Sequence, residues 1–254
     1  MDDRNGLPAD AAVPAPGAPL AVLLLDDCFV AVSKPSGLLV HRDERHPDAP
    51  AALQLVRDQV GRFLYPVHRL DRATSGILLF AFRSDLAAAL QAAMAHADAH
   101  KDYLALVRWP GRFPEFGERW RCDQPLHDDK DIARPALSEF WLGESFRRAA
   151  LIHCRIATGR YHQIRRHLNH CGRHVLGDTT HGKGRLNALY RERYGLDRLF
   201  LHAARMSLRH PGTGAAVELS DPLPKELVAV VERLRAEAAS PCQAPTPEQP
   251  EQRP

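Results

Sequence analysis

A single aspartate lies between two arginines in residues 68–76 (HRLDRATSG), and the apolar run 77–81 (ILLFA) follows directly. The Thr-Ser-Gly sequence predicts a turn, and the apolar run predicts a buried strand, so that Asp71 stands just before that strand. The guanidinium groups of Arg69 and Arg72 favour the ionised carboxyl and attract a polyanion such as RNA. A turn carboxylate that only pairs with one of these arginines is the structural alternative, and spacing alone does not separate the two.

Three further segments occur in order along the chain with this one. They are residues 34–41 (KPSGLLVH), 101–107 (KDYLALV) and 158–167 (TGRYHQIRRH), the last followed by Gly177 and Asp178. Together with residues 68–76, these segments resemble those of the RluA-type pseudouridine synthases, which isomerise uridine in RNA. The resemblance extends over roughly residues 20–235, and four segments in family order make it specific.

The resemblance implies three catalytic residues. Asp71 would attack C1′ of the uridine, assist removal of a sugar proton or add to the uracil ring, and these routes stay open. Tyr103 would stack on the uracil and help to remove the C5 proton; because an ordinary phenol has a pKa of about 10, stacking needs less assistance than a base role. Arg165 would form a bidentate pair that orients Asp71. A core tyrosine and a solvent-facing helix arginine are the structural alternatives.

A second set of residues is predicted to contact RNA, namely His68, Arg69, Thr74, Arg160, His162, Gln163 and Arg166. Residues 145–177 contain seven arginines and no acidic residue, which favours an anionic partner over a merely solvated face. A target uridine must leave its stack before it can react. Arg69 and Thr74, which are next to Asp71, are predicted to occupy or brace the vacated position.

Neither a cofactor nor a metal is expected. Uridine isomerisation changes neither mass nor oxidation state, and the sequence has no dinucleotide fingerprint, P-loop or His-Glu-x-x-His motif. The alternative is a metal site on one helical face, formed by His167, His170, Cys171 and His174. Gly172 is predicted to end that helix, and nearby arginines would repel a cation, so we interpret these residues as ordinary helix residues near RNA phosphate.

The chain-wide properties fit a cytoplasmic protein. The 254 residues carry a net charge of +3 and contain no apolar run near the ~18 residues that span a membrane, so we expect no membrane partner. The N-terminus begins with acidic residues and lacks an apolar signal core. Five widely spaced cysteines without a Cys-x-x-Cys pair fit a reducing compartment. We expect a monomer.

The chain is predicted to contain one domain. Residues 1–19 are expected to form a disordered leader, residues 20–236 the domain, and residues 237–254 a disordered tail. Strands are predicted at 21–25, 29–33, 76–82, 103–109, 149–157, 199–208 and 216–219, and helices at 51–60, 85–97 (with Ser84 as N-cap), 161–171 and 222–236. Clustered strands without regular alternation predict an α+β fold with a largely antiparallel sheet. The resemblance implies the same mixed central sheet, flanked by helices and crossed by an RNA-binding cleft.

Within the family, three segments are similar to the subgroup that modifies uridine 65 of certain tRNAs. They are residues 56–61 (VRDQVG), 177–182 (GDTTHG) and 199–203 (LFLHA). The resemblance therefore implies a tRNA substrate. Two alternatives stay open: a related enzyme acting on a different uridine in ribosomal RNA or tRNA, and a non-catalytic RNA-binding or chaperone protein.

Overall fold

A ten-stranded sheet forms the centre of the molecule. The computed structural model describes residues 18–42, 44, 46–109 and 119–239. The strands are β1 Val22–Leu25, β2 Phe29–Lys34, β3 Tyr65–Pro66, β4 Ser75–Ala81, β5 His100–Arg108, β6 Arg119–Cys122, β7 Leu126–His127, β8 Ala133–Arg134, β9 Ser138–Ser145, β10 Ala149–Ile156, β11 Leu201–Arg209 and β12 Ala216–Ser220. The helices are α1 Ala52–Val60, α2 Ser84–Ala95, α3 Gln163–His170, α4 Gly184–Tyr194 and α5 Lys225–Ala239.

The strand order is β1-β2-β4-β11-β5-β10-β9-β6, with β3 paired to β4, β12 paired to β11, and β7 and β8 forming a separate pair. The β4–β11 pair is parallel, and the other pairs among the described strands are antiparallel. The predicted α+β class with a mixed, largely antiparallel sheet is therefore confirmed.

Strand β4 is apolar from residue 77 to residue 81 because both of its faces are covered. Leu78 and Phe80 belong to one core, which includes residues of α1 and α3, whereas Ile77 and Leu79 belong to a second core under α2. A third cluster joins α4 and α5 to the sheet. The uninterrupted run in the sequence thus follows from helices on both sides of one strand.

Gly76 has a φ of +118°, and a Cβ placed there would lie 2.3 Å from the carbonyl oxygen of Ala203. This glycine lets β4 approach β11 closely at the register Ala203↔Gly76. Ala203 in turn pairs with Tyr103 of β5. The turn after Asp71 is thereby fixed two strands away from Tyr103.

The predicted elements are all present, with shifted ends. Helix α1 ends at Val60, and the residue that caps it, Gly61, has a left-handed backbone conformation. Helix α2 begins at Ser84 with Arg83 as its N-cap and no side-chain cap, so the capping role predicted for Ser84 is wrong because this residue is already helical. Helix α3 is shorter than predicted, since His162 is its left-handed N-cap and Cys171 its C-cap.

Strands β3 and β6–β9 and helix α4 were not predicted. Strand β9 alternates in burial, but a glycine and two glutamates weaken its apolar pattern. Helix α4 begins with glycine and is mostly polar, so it lacks the apolar face on which prediction depends. Helix α5 extends to Ala239, three residues past the predicted domain end. The predicted leader and tail lie mainly outside the described residues. Among the described helices, none combines the length and apolarity needed to cross a bilayer.

Candidate active site

Asp71 lies in the loop that leads into β4. The backbone N–H of Thr74 donates to the Asp71 carbonyl at 3.0 Å, which closes a tight turn. The Asp71 side chain keeps 16% of its surface exposed, although the strand that follows is fully buried. The loop therefore presents one partly exposed carboxylate at the margin of the core.

The segment 34–38 holds this loop from behind. Lys34 is fully buried, and its Nζ donates to the carbonyls of Pro35, Leu38 and Arg72 at 2.9, 2.8 and 3.2 Å. Burial, and secondarily the charge of Arg198, lowers the pKa of Lys34 to about 7. Two of the segments recognised in the sequence are thus joined through the residue that follows Asp71.

The hydroxyl of Ser36 and the backbone of Gly37 complete this attachment. Ser36 Oγ donates to the Ala73 carbonyl at 2.7 Å, and the Gly37 N–H donates to the Arg72 carbonyl at 2.8 Å. The Arg72 side chain is also used, because its Nε donates to the Gly37 carbonyl at 2.9 Å. The expectation that Arg72 holds the Asp71 charge is therefore wrong.

The ion partner of Asp71 is Arg165. Its Nη1 lies 3.2 Å from Asp71 Oδ2, but the bidentate contact predicted for this pair is not formed. The Nε and Nη2 edge of Arg165 instead donates to Asp178 Oδ2 and Oδ1 at 2.8 and 2.7 Å. Asp178 thus occupies the Nε and Nη2 edge, and Asp71 receives a single contact from Nη1.

Asp178 fixes the guanidinium that Asp71 uses. Asp178 is 2% exposed, and its Oδ1 also accepts the backbone N–H groups of Thr180 and His181 at 2.9 Å each. Burial alone would raise the pKa of Asp178, but the hydrogen bonds and charge of Arg165 outweigh it and hold that pKa below its ordinary value. Asp178 was noticed in the sequence only as part of a motif, without a role.

Helix α3 carries Arg165 and is anchored to β9. The ring of His167 bonds to Ser138 Oγ and the Gln124 carbonyl at 2.9 Å each. The Gln163 amide donates to the Leu137 carbonyl and to Ser138 Oγ, and its oxygen accepts from Thr158 Oγ1 and Arg160 N–H. Both the oxygen and the nitrogen of this amide are hydrogen-bonded within the protein. Gln163 therefore positions helix α3, which argues against the predicted contact of its side chain with RNA.

His162 and His181 form a pair beside Asp71. His162 Nε2 lies 3.7 Å from Asp71 Oδ2, and its Nδ1 lies 3.0 Å from His181 Nε2. Burial lowers the pKa of His162 to about 4, and burial also lowers the pKa of His181. Both rings are therefore neutral at pH 7, and one N–H is shared between them. His181 was not singled out from the sequence; its position in the GDTTHG segment was the signal available.

Tyr103 is buried, and burial together with the Asp71 charge raises its pKa well above the ordinary phenol value. The hydroxyl therefore stays protonated at neutral pH, which favours the stacking role over the base role. The ring forms one wall of the cavity that also contains Asp71.

One cavity brings most of the predicted site residues together. Its lining includes Asp71, Tyr103, Arg165, Arg69, Thr74, Arg160, His162 and Gln163, together with the apolar residues Leu70, Ile156, Ile164 and Leu201. Arg69 is exposed, whereas Thr74 is 2% exposed, and its Oγ1 has no hydrogen-bond partner among the described residues. A buried threonine cannot insert into an RNA stack, so the bracing role predicted for Thr74 is wrong.

Two of the predicted RNA contacts lie elsewhere. The backbone N–H of Leu79 donates to His68 Nε2 at 3.2 Å, and burial lowers the pKa of His68 to about 4, so this neutral ring supports β4. Arg166 donates through Nη1 to the His127 carbonyl at 3.0 Å. The arginine-rich stretch is likewise divided: Arg155 forms a bidentate pair with Asp102, so the seven arginines do not act as one patch.

Neither group of metal-ligand residue types is arranged for a cation. His167 uses both ring nitrogens, as described above, and His174 Nδ1 bonds to the His181 carbonyl, so the predicted helical set does not converge. Asp26, Cys28 and His210 do approach one another at the other side of the molecule. There, His210 Nδ1 accepts the N–H groups of Gly212 and Thr213.

Because His210 Nδ1 is an acceptor, its Nε2 carries the proton and donates to Asp26 Oδ2 at 3.0 Å. A metal at Nε2 would require a proton at Nδ1, where two N–H donors already point. This cluster is therefore a hydrogen-bonded turn.

The arrangement can hold an anion beside an aromatic face in a partly enclosed space. A carboxylate next to a carbon that becomes electron-poor is the requirement of glycosidic bond cleavage. Arg165 supplies one positive charge shared by two carboxylates, and the neighbouring imidazoles and phenol are neutral. Asp71 is thus the acidic residue in the described lining of the cavity, and Arg69 and Arg160 add positive charge at its rim.

Comparisons with known proteins give a consistent assignment. Residues 28–170, more than half of the chain, match the family model described as RNA pseudouridylate synthase. The chain is 35% identical over 215 residues to tRNA pseudouridine synthase C of Vibrio vulnificus (strain CMCP6), covering 76% of this chain and 86% of that relative. It is 32% identical over 237 residues to ribosomal large subunit pseudouridine synthase D of Xanthomonas campestris pv. campestris, covering 87% of this chain and 71% of that relative.

Among solved structures, human RNA pseudouridylate synthase domain containing 4 shares the fold, with a TM-score of 0.68 and 23% identity, over 85% of this chain and 93% of that one. The residues matched by the family model include Asp71, Tyr103 and Arg165. On these grounds the chain belongs to the RNA pseudouridylate synthase family, whose members are isomerases.

Proposed function

We propose that this protein converts uridine to pseudouridine in tRNA without a cofactor, and that Asp71 carries the chemistry. The observation that supports this most directly is the partly exposed Asp71 carboxylate, 3.2 Å from a buried guanidinium, in a cavity walled by Tyr103. Relatives such as those of Vibrio vulnificus and Yersinia pestis, at 35% and 36% identity, are tRNA pseudouridine synthases C. The similarity to these relatives supports tRNA as the substrate.

The reaction breaks the bond between uracil N1 and ribose C1′ and joins C1′ to uracil C5. One proton leaves C5 and one proton is gained at N1, so atoms and charge balance without an oxidant or a hydrolytic water. Only a group that stabilises or attacks the electron-poor sugar, or accepts a proton, is required. Asp71 has one oxygen for this task, because Oδ2 faces Arg165 and His162 while Oδ1 has no partner among the described residues.

The neighbours of Asp71 divide the remaining tasks. Tyr103, with its raised pKa, stacks on the uracil as a neutral ring. Arg165 orients the carboxylate and stabilises its charge. Arg69 is exposed at the cavity rim and takes the position that the everted uridine leaves, so Arg69→Ala impairs eversion more than RNA binding. An equal loss in both would exclude this role.

The target is proposed to be uridine 65 of tRNA in the cytoplasm, as the likeness of residues 56–61, 177–182 and 199–203 to that subgroup implies. A uridine in ribosomal RNA is the second candidate, supported by the Xanthomonas campestris relative, a ribosomal large subunit pseudouridine synthase. The two candidates share the chemistry and differ in the RNA fold that places the uridine.

The test is tritium release from tRNA transcripts labelled at uridine C5, followed by chemical mapping of the product by cyanoethylation. Release of one equivalent per tRNA, with pseudouridine at position 65, is the expected result. Tritium release only from a ribosomal RNA fragment would mean that the reaction is correct and that the substrate is ribosomal RNA instead of tRNA. RNA binding without release from either RNA would make the protein a non-catalytic binder and overturn the proposal.

A further inference from the structure

Tyr161 lies next to the cavity on an unusual piece of backbone. His162 has a φ of +52°, one of two positive values among the described non-glycine residues. This left-handed conformation lays the His162 ring against the Tyr161 ring, with centroids 3.7 Å apart and planes 20° apart. Strained conformations of this kind persist where surrounding contacts hold them, often at binding sites.

The inner ring of this stack is fixed. His162 is 8% exposed and is held between His181 at 3.0 Å and Asp71 at 3.7 Å. Tyr161, in contrast, is 50% exposed. The stack therefore has a rigid inner layer and an outer layer that reaches the surface beside the carboxylate.

The outer ring already attracts a planar cation. The guanidinium of Arg69 lies 5.3 Å from the centroid of the Tyr161 ring, and Arg160, also exposed at the rim, is anchored by its Nε to the Pro135 carbonyl at 3.1 Å. An exposed aromatic ring with arginines nearby at the rim of a cavity is the combination that binds single-stranded nucleic acid, with bases on the ring and phosphates on the cations.

We propose that Tyr161 is a stacking platform for an unpaired base of the substrate RNA, one nucleotide away from the everted uridine. This inference rests on the proposed function. One imidazole separates the platform from Asp71, which leaves room for a neighbouring nucleotide but not for the reacting one. Arg69 covers the ring in the unbound protein and leaves it when the base arrives.

The test compares RNA affinity, by fluorescence titration, for the wild type, Tyr161→Leu and Tyr161→Phe. Leucine keeps apolar bulk without a ring, and we expect a loss of about 10- to 100-fold in affinity and a matching rise in KM, with kcat little changed. Phenylalanine keeps the ring and restores most of this loss. Phe63→Ala removes another exposed aromatic ring, outside the cavity lining, and serves as the control, with affinity unchanged.

The same titration with transcripts that carry an abasic residue on either side of the target uridine identifies the base. At one flanking position, removal of the base should cost the wild type as much affinity as Tyr161→Leu costs on the intact RNA. The same abasic RNA should cost Tyr161→Leu no further affinity. The stacking proposal would be overturned if Tyr161→Leu bound RNA with wild-type affinity. It would also be overturned if the affinity losses from removing the ring and from removing the base were additive. Because binding is measured directly, this result is independent of tritium release, which tests the proposed function.

Discussion

Arg165 joins two loops, each of which supplies one carboxylate, and the two carboxylates differ in burial and in the number of their hydrogen bonds. In the loop 177–182, Asp178 is 2% exposed and takes the bidentate edge of the guanidinium as well as two backbone N–H groups. In the loop 69–74, Asp71 is more exposed and has one contact to Arg165, at 3.2 Å. Both oxygens of the first carboxylate have partners, whereas the second has one oxygen without a partner in the part of the chain that the structure describes.

The difference shows how a catalytic charge can be held without being neutralised. An arginine paired only with Asp71 would place its full fork on the group that must react. Asp178 takes that fork, and because it is buried and hydrogen-bonded it also prevents the guanidinium from moving. The loop of Asp178 thus supports the guanidinium, and under the proposed function the loop of Asp71 performs the chemistry.

The largest stability effect should come from Asp178→Asn. Removing one member of a buried ion pair leaves an uncompensated charge, so we expect the free energy of unfolding to fall by about 3–5 kcal/mol. Asp71→Asn should cost much less, because its side chain has one ionic contact and contacts solvent. Urea denaturation measures both, with the exposed Asp58→Asn as control. Equal losses in the free energy of unfolding for Asp71→Asn and Asp178→Asn would show that the two carboxylates do not differ in their contribution to stability.

Arg165→Lys should separate orientation from stability. An ammonium can keep the charge near Asp178 but lacks the planar fork and the third nitrogen that reaches Asp71. We expect kcat to fall by about 100-fold, with a smaller loss of stability than for Asp178→Asn. The measurement is single-turnover tritium release, and Arg191→Lys at the exposed pair with Asp197 is the matched control. Wild-type kcat in Arg165→Lys would show that Asp71 needs no guanidinium.

The pH dependence of folding should reflect two histidines whose pKa values are lowered by burial. His68 and His162 have pKa values lowered to about 4 by burial, against about 6.5 in the unfolded chain. The unfolded state therefore binds more protons between these values, and the stability present above pH 6.5 is lost as pH falls toward 4. Each histidine contributes a slope of at most about 1.4 kcal/mol per pH unit.

Replacing His68 by glutamine should remove one of these contributions, which denaturation at a series of pH values can measure. The exposed His96, replaced in the same way, should leave the slope unchanged. A slope that is the same in His68→Gln and the wild type would mean that burial does not lower the pKa of His68 in the folded protein.

The smallest effect is expected for Thr74→Val, and its sign differs between two measurements. The Thr74 hydroxyl is buried without a partner among the described residues, so valine should raise the free energy of unfolding by about 1 kcal/mol. If the hydroxyl meets the substrate in the cavity, kcat/KM should fall by about 3- to 10-fold. Thr179→Val, exposed in the other loop, is the control. A loss of stability with unchanged kcat/KM would remove Thr74 from the site.

The sequence predicts the fold class and most of the cavity lining because both depend on local patterns. The apolar run after Gly76 and the amphipathic helices follow from periodicity, and the four ordered segments contain Asp71, Tyr103 and Arg165. Structure brings these three to one cavity. Their catalytic roles remain predictions that the experiments above address.

The partners of each charge could not be predicted, because they are distant in sequence and compete in space. Arg165 is 94 residues from Asp71 and 13 from Asp178, and only the folded geometry decides which receives the fork. Gln163 and His68 carry side chains that suit RNA contact equally well, yet one amide closes a turn and one ring supports a strand. The residue type shows which hydrogen bonds a side chain can form, but it does not show which group in the folded protein will be its partner.

The central claim is that the Asp71 carboxylate performs the isomerisation while Asp178 only positions its partner. Tritium release from C5-labelled tRNA, measured for Asp71→Asn beside a direct measurement of tRNA affinity, tests this most directly. We predict a loss of at least about 1,000-fold in kcat, with affinity and folding close to those of the wild type. Product formation by Asp71→Asn at the wild-type rate would contradict the account.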